Sequence, residues 1–217
     1  MNTTVTLSTL TLLLALPVVS FADPSDEATK ARAASAPRAR TRGSFFARAS
    51  LGAAGVATAI ETKGSDTLHA DGNGVALSLQ VGGGIADNLA LHSDFMIIGT
   101  TEALSFESEA GTFDADSIAM GGLGIGLTYY LPWDFSVGGS LLYALTNLDS
   151  TDGDSLDADY GAMAKLEIAK EFQVSDRWAL GLGLSLFGAY GHGENDAEVE
   201  FDAMYGGASI NVVATHF

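Results

Sequence analysis

The stretch Trp178-Ala179-Leu180-Gly181-Leu182-Gly183-Leu184-Ser185-Leu186 sets a large apolar side chain at every second position, with a small one between each pair. In an extended chain successive side chains point to opposite faces, so this spacing makes one face of a strand apolar and the other small. A helix does not fit, because a period of two would scatter the leucines around its circumference. The small face is glycine, alanine and serine. A soluble sheet would instead carry charge on its solvated face. Small, mildly polar side chains suit the inside of a narrow barrel, where they must fill a lumen. The apolar face is therefore expected to point outward, into lipid.

The same period recurs along the chain. Val75, Leu77, Leu79, Val81 and Ile85 share one face, as do Phe135, Val137, Leu141, Tyr143 and Leu145, and Leu166, Ile168 and Phe172. Eight strands are predicted, at 44–61, 73–86, 88–100, 116–131, 133–147, 159–173, 177–191 and 204–217. Each exceeds the about 9–11 residues that a tilted strand needs to cross the hydrocarbon. The predicted fold is all-β: an eight-stranded antiparallel up-and-down transmembrane β-barrel over residues 44–217.

The connections alternate in length. Short turns fall at Asp87-Asn88, at Pro132 and at Val174-Ser175-Asp176, and long ones at 62–72, 101–115, 148–158 and 192–203. All four long segments are acidic, from Asp66 and Asp71 in the first to Glu194, Asp196, Glu198, Glu200 and Asp202 in the last. Short periplasmic turns and long outer loops are the layout of outer-membrane barrels. An even strand number then places both termini in the periplasm. Trp133, Phe135, Phe172 and Trp178 flank the short turns, and Tyr143, Tyr160, Tyr190 and Tyr205 approach the long loops, as two aromatic girdles would.

Composition narrows the function. The chain has 27 Asp and Glu against 10 Lys and Arg, a net charge of −17, which argues against binding nucleic acid through its phosphates. Cysteine is absent, so disulfides, thiolate metal sites, a cysteine nucleophile and a lipidated cysteine anchor are excluded. Leu7 to Phe21 is almost wholly apolar and ends in Ser20-Phe21-Ala22, which reads as a signal peptide over 1–22 cleaved after Ala22. Lys30, Arg32, Arg38, Arg40 and Arg42 then lie among Ala, Ser and Pro, so 23–43 is expected to be a flexible basic periplasmic tail.

Three features carry a family resemblance: Trp133-Asp134-Phe135-Ser136-Val137 after Pro132, Asp176-Arg177-Trp178-Ala179-Leu180, and the terminal Phe217. With these the chain resembles the small outer-membrane barrels of the OmpX, Ail, OmpW and OmpA membrane-domain families. The resemblance implies an outer-membrane monomer in contact with lipid and lipopolysaccharide, and no cofactor. It also implies that Phe217 is read as an assembly signal by the barrel assembly machinery. The last strand departs from the pattern. Thr215, Val213, Asn211 and Ser209 share the parity of Phe217, whereas the apolar set Ile210, Val212 and Ala214 lies on the other face. A bulge near Val213 or an unusually polar strand is expected there.

The candidate chemistry lies first in the lumen. Arg48, His92, Asp94, Lys165, Glu167 and Glu171 fall on the inward parity with Gln80. Arg48 and Lys165 are expected to pair with Asp94 and Glu167, since a buried charge without a partner is costly. Such a network would be a structural plug or a gate. His92-Ser93-Asp94 is not a catalytic set, because on a strand Ser93 faces away from the other two. His192 is expected in the last outer loop and His216 at the periplasmic end, neither with a serine partner. Asp149, Asp152, Asp154 and Asp157 are weak candidates for divalent cations, with spacing that does not fit an EF-hand. The expected function is a non-enzymatic envelope barrel acting through its acidic outer loops. The alternatives are a channel for small, perhaps apolar, solutes and, further off, a lipid A-modifying enzyme.

Overall fold

A computed structural model describes residues 45–62, 67–100, 104–108, 111–150, 155–194 and 200–217. These residues lie in one compact unit, Pro37–Phe217. The predicted signal peptide and basic tail, 1–43, lie outside the described residues.

The strands are β1 (Phe45–Thr62), β2 (Leu68–Ala86), β3 (Leu89–Thr100), β4 (Leu104–Ser108), β5 (Gly111–Tyr130), β6 (Phe135–Ser150), β7 (Ser155–Gln173), β8 (Trp178–Glu194) and β9 (Glu200–His216). Eight of them form one antiparallel ring in the order β1, β2, β3, β5, β6, β7, β8, β9, closed where β9 pairs back onto β1. Closure removes the exposed edges that an open sheet would present. Apart from β4, each strand pairs with its neighbours in sequence. The ring is thus the predicted eight-stranded up-and-down barrel.

The strands run further at the long-loop end than predicted. β2 begins at Leu68, β5 at Gly111 and β7 at Ser155, so Asp71, Asp114, Asp149, Asp157, Glu200 and Asp202 belong to strands rather than loops. His192, expected in a loop, lies in β8. Acidic composition points to loop, but inter-strand hydrogen bonds continue beyond the apolar pattern once the side chains reach water. The predicted second loop also holds β4, which forms a hairpin with the start of β5 from Leu104↔Ala115 to Ser108↔Gly111.

The short-turn end is tightly built. Asn88 adopts a left-handed backbone in the turn between β2 and β3, and its carbonyl accepts from the Tyr130 amide at 2.8 Å. Pro132–Asp134 forms a turn in which Trp133 and Asp134 both have positive φ, 64° and 65°. Phe45 and His216, at opposite ends of the ring's sequence, lie at this same end of the barrel.

β9 contains no bulge. Its pairing with both β8 and β1 is continuous. Ser209, Asn211, Val213 and Thr215 are buried, while Ile210 and Val212 are exposed on the other face. The expected conflict resolves without irregularity: Phe217 keeps the inward parity and packs edge-on to Tyr130, with ring centroids 5.5 Å apart.

Candidate functional site in the barrel lumen

The inward-facing side chains form three layers. At the short-turn end Phe46, Ala90 and Tyr130 cluster, with Phe217 packed against them. At the long-loop end lies an apolar cluster that includes Met96, Met120, Met163, Leu142, Phe187 and Tyr205. This layer is a correction, because the inward face is expected from sequence to be small and mildly polar throughout. Large apolar residues are tolerated there because glycines oppose them: a Cβ on Gly207 would lie 2.4 Å from the Phe187 ring. Tyr205, expected in the outer girdle, belongs to this inner layer and is buried, because the outward parity of β9 is that of Met204.

The middle layer is charged. Arg48, from β1, donates from Nη1 to Glu167 Oε1 at 2.7 Å and from Nη2 to Glu171 Oε1. It also donates to Thr215 Oγ1 at 3.1 Å and to Ser136 Oγ at 3.0 Å. The Ser136 hydroxyl donates in turn to Glu171 Oε1 at 2.9 Å. A second centre lies around Asp94. Lys165 Nζ is 2.6 Å from Asp94 Oδ2 and donates to Ser78 Oγ at 2.8 Å. Ser78 and Ser140 donate to the two Asp94 oxygens at 2.9 and 2.5 Å. Glu167 links the centres, since its Oε2 lies 3.8 Å from Lys165 Nζ.

Arg48, Lys165, Asp94, Glu167 and Glu171 are each at most 4% exposed. Burial of this kind is tolerable only where each charge meets an opposite one, because an isolated buried charge costs several kcal/mol. His92 takes no part in the described ion pairs. Its Nε2 is 3.1 Å from Thr128 Oγ1 and its ring lies 5.4 Å from that of Phe46. Gly126 makes room for it, since a Cβ there would stand 2.6 Å from His92 Cε1 and 2.3 Å from Ser140 Oγ.

The outside is the reverse of the inside. Leu123, Ile125, Leu141, Leu166, Leu182, Ile210 and Val212 are all exposed, Leu141 by 71%. They belong to a band that runs around the ring. Water would not hold such a band on a soluble protein, whose largest apolar patches reach a few hundred Å². Buried ions within and exposed leucines without are the arrangement that lipid imposes.

This is an eight-stranded transmembrane β-barrel.

The chain is similar to solved outer-membrane barrels. Neisserial surface protein A matches at 13% identity over 80% of this chain and 97% of its own, with a TM-score of 0.48. The outer membrane protein OprG from Pseudomonas aeruginosa matches at 12% identity over 82% and 98%, also at 0.48. The outer membrane protease OmpT from Escherichia coli matches at 11% identity over 80% and 96%, at 0.45. No family model matches the chain. No curated protein matches it either.

The barrel carries a second polar group outside the lumen. On its outer surface near the long-loop end, Asp202 Oδ1 accepts from the Tyr190 hydroxyl at 2.7 Å and lies 2.9 Å from His192 Nδ1. Sequence reasoning gives His192 no serine partner and assigns both His192 and Asp202 to the last outer loop. The pairing register His192↔Asp202 is what brings them together. Ser93 faces outward while His92 and Asp94 are buried, so the three are separated as expected. Of the weak cation candidates, Asp149 and Asp157 lie in β6 and β7, and Asp152 and Asp154 lie outside the described residues. The described residues contain no cluster of three or more potential metal ligands.

Glu171, Ser136, Thr215 and Tyr130 complete the Arg48 shell, and Ser78 and Ser140 complete that of Asp94. The available signal is parity alone. All lie on inward positions, but parity does not say which inward residues of distant strands share a level.

Proposed function

We propose that the chain is a non-enzymatic envelope barrel whose lumen is closed by its own side chains. The single observation that carries this reading is the charged layer in mid-lumen, where Arg48 meets Glu167 and Glu171, and Lys165 meets Asp94. Eight strands enclose a space just wide enough to be filled by side chains. The Met96, Met120 and Met163 layer is the feature that would suit a small apolar solute, but its path toward the short-turn end meets these ion pairs. The wall residues contribute to closure as well, because serines fill the gaps between the charges.

In this reading the short turns face the periplasm and the acidic rim faces out. Glu61, Asp71 and Asp202 are exposed on the barrel's outer surface toward the long-loop end. They supply hard oxygens through which divalent cations would bridge to lipopolysaccharide phosphates. The Tyr190–Asp202–His192 group ties β8 to β9 at that rim, which is a structural role rather than a catalytic one.

Conductance of the refolded protein in planar bilayers tests the closed lumen. The expected record has no steady openings. Steady large channels that change on Lys165→Ala would overturn the reading and favour transport.

A further inference from the structure

The described residues contain four lysine and arginine side chains, Arg48, Lys165, Lys170 and Arg177. The first two are buried in the lumen with carboxylate partners. Lys170 is different. It lies on the outward face of β7, half-buried, in register with Phe135 on β6 and Leu182 on β8. Its ammonium stands 4.4 Å from the centre of the Phe135 ring and 5.6 Å from that of Phe172. One proton goes to the Trp133 carbonyl at 3.3 Å. None of the described ion pairs includes it. An ammonium has three donors, and two aromatic faces hold its charge without neutralising it.

The position is as informative as the contacts. Phe135 is the first residue of β6 after the turn that carries Trp133, and Trp133 is 82% exposed. Aromatic side chains at the end of a lipid-facing band mark the headgroup level. From Lys170 toward mid-barrel the outward side chains are Ile168, Val137 and Leu184, all exposed. A cation at headgroup depth above an apolar track matches an anionic phospholipid, its phosphate on the ammonium and an acyl chain along the track.

We infer that Lys170, with Trp133, Phe135 and Phe172, forms a docking site for the phosphate headgroup of an anionic phospholipid at the short-turn rim. The inference rests on the membrane reading above. It adds a preferred lipid class and a place for it. Charge complementarity decides the class. A zwitterionic headgroup brings its own cation to the same phosphate, whereas the phosphate of phosphatidylglycerol has none and takes Lys170 as its partner.

The barrel reports on this site itself, because Trp133 and Trp178 are its two tryptophans. The Trp178→Phe protein, refolded into phosphatidylcholine vesicles, leaves Trp133 as the reporter. Brominated phosphatidylglycerol is then compared with brominated phosphatidylcholine as a quencher at equal mole fraction. The expected result is a local preference for phosphatidylglycerol of about five-fold, the size that one lysine near anionic lipid confers. Lys170→Gln should lose that preference, and Lys170→Arg should keep it with the same folded, heat-modifiable migration. An unchanged preference on Lys170→Gln would overturn the site and leave the membrane reading intact. Failure of both lipids to quench Trp133 would count against the membrane reading itself, and the site with it.

Discussion

Lys165 and Asp94 meet across the lumen, Nζ to Oδ2 at 2.6 Å, although their strands β7 and β3 share no hydrogen-bonded edge. In ring order β5 and β6 stand between them. The pair therefore braces the barrel in a direction that its backbone hydrogen bonds do not. Closing the ring is what brings two such positions into contact.

Removing one partner of this pair leaves the other charged and buried. Lys165→Met and Asp94→Leu are each expected to destabilise the barrel by about 3–5 kcal/mol. The double replacement Lys165→Met with Asp94→Leu should recover much of the loss, since no orphan charge remains. Urea unfolding in lipid vesicles, followed by tryptophan emission, measures all three. Additive losses in the double variant would show that the pair does not act as a unit.

Leu141 is 71% exposed and sits midway along the apolar part of β6. On a soluble barrel Leu141→Arg would be close to neutral. In lipid it should cost about 2–4 kcal/mol, the penalty for arginine near the bilayer midplane. Unfolding free energy in bilayers reads the difference directly.

Met163 is fully buried in the apolar layer of the lumen. Met163→Ala should leave a cavity and cost about 2–5 kcal/mol. A loss well below about 1 kcal/mol in the same unfolding assay would mean that the layer is loosely packed and able to yield to a solute.

Asp134 follows Trp133 in the turn with φ of 65°, a conformation that strains an L side chain. Asp134→Gly should relieve that strain. The extra chain entropy of glycine offsets part of the gain, leaving about 0.5–1 kcal/mol of added stability. A thermal or urea midpoint that falls instead would show that the Asp134 side chain contributes to the turn.

The architecture is legible from the chain because it is written in a local code. A period of two decides faces one strand at a time, and the short turns at Asp87-Asn88, Pro132 and Val174-Ser175-Asp176 separate the strands. Strand ends are less legible. Asp71, Asp114 and Asp202 look like loop residues by composition, yet backbone pairing carries the strands past the membrane, where side-chain polarity no longer reports on it. Among the lumen residues, parity identifies Arg48, His92, Asp94, Lys165, Glu167 and Glu171 as inward.

Their partners are decided by shear. In a closed barrel the stagger between strands sets which inward positions share a level, and stagger is a property of the whole ring. Hence Glu171 rather than Asp94 joins Arg48, His92 turns to Thr128, and the methionines of β3, β5 and β7 converge in one layer. Alternation along the chain assigns an inside and an outside to each strand with no help from its neighbours. Closure of the ring decides how the charges of β1, β3 and β7 meet, because these strands share no edge.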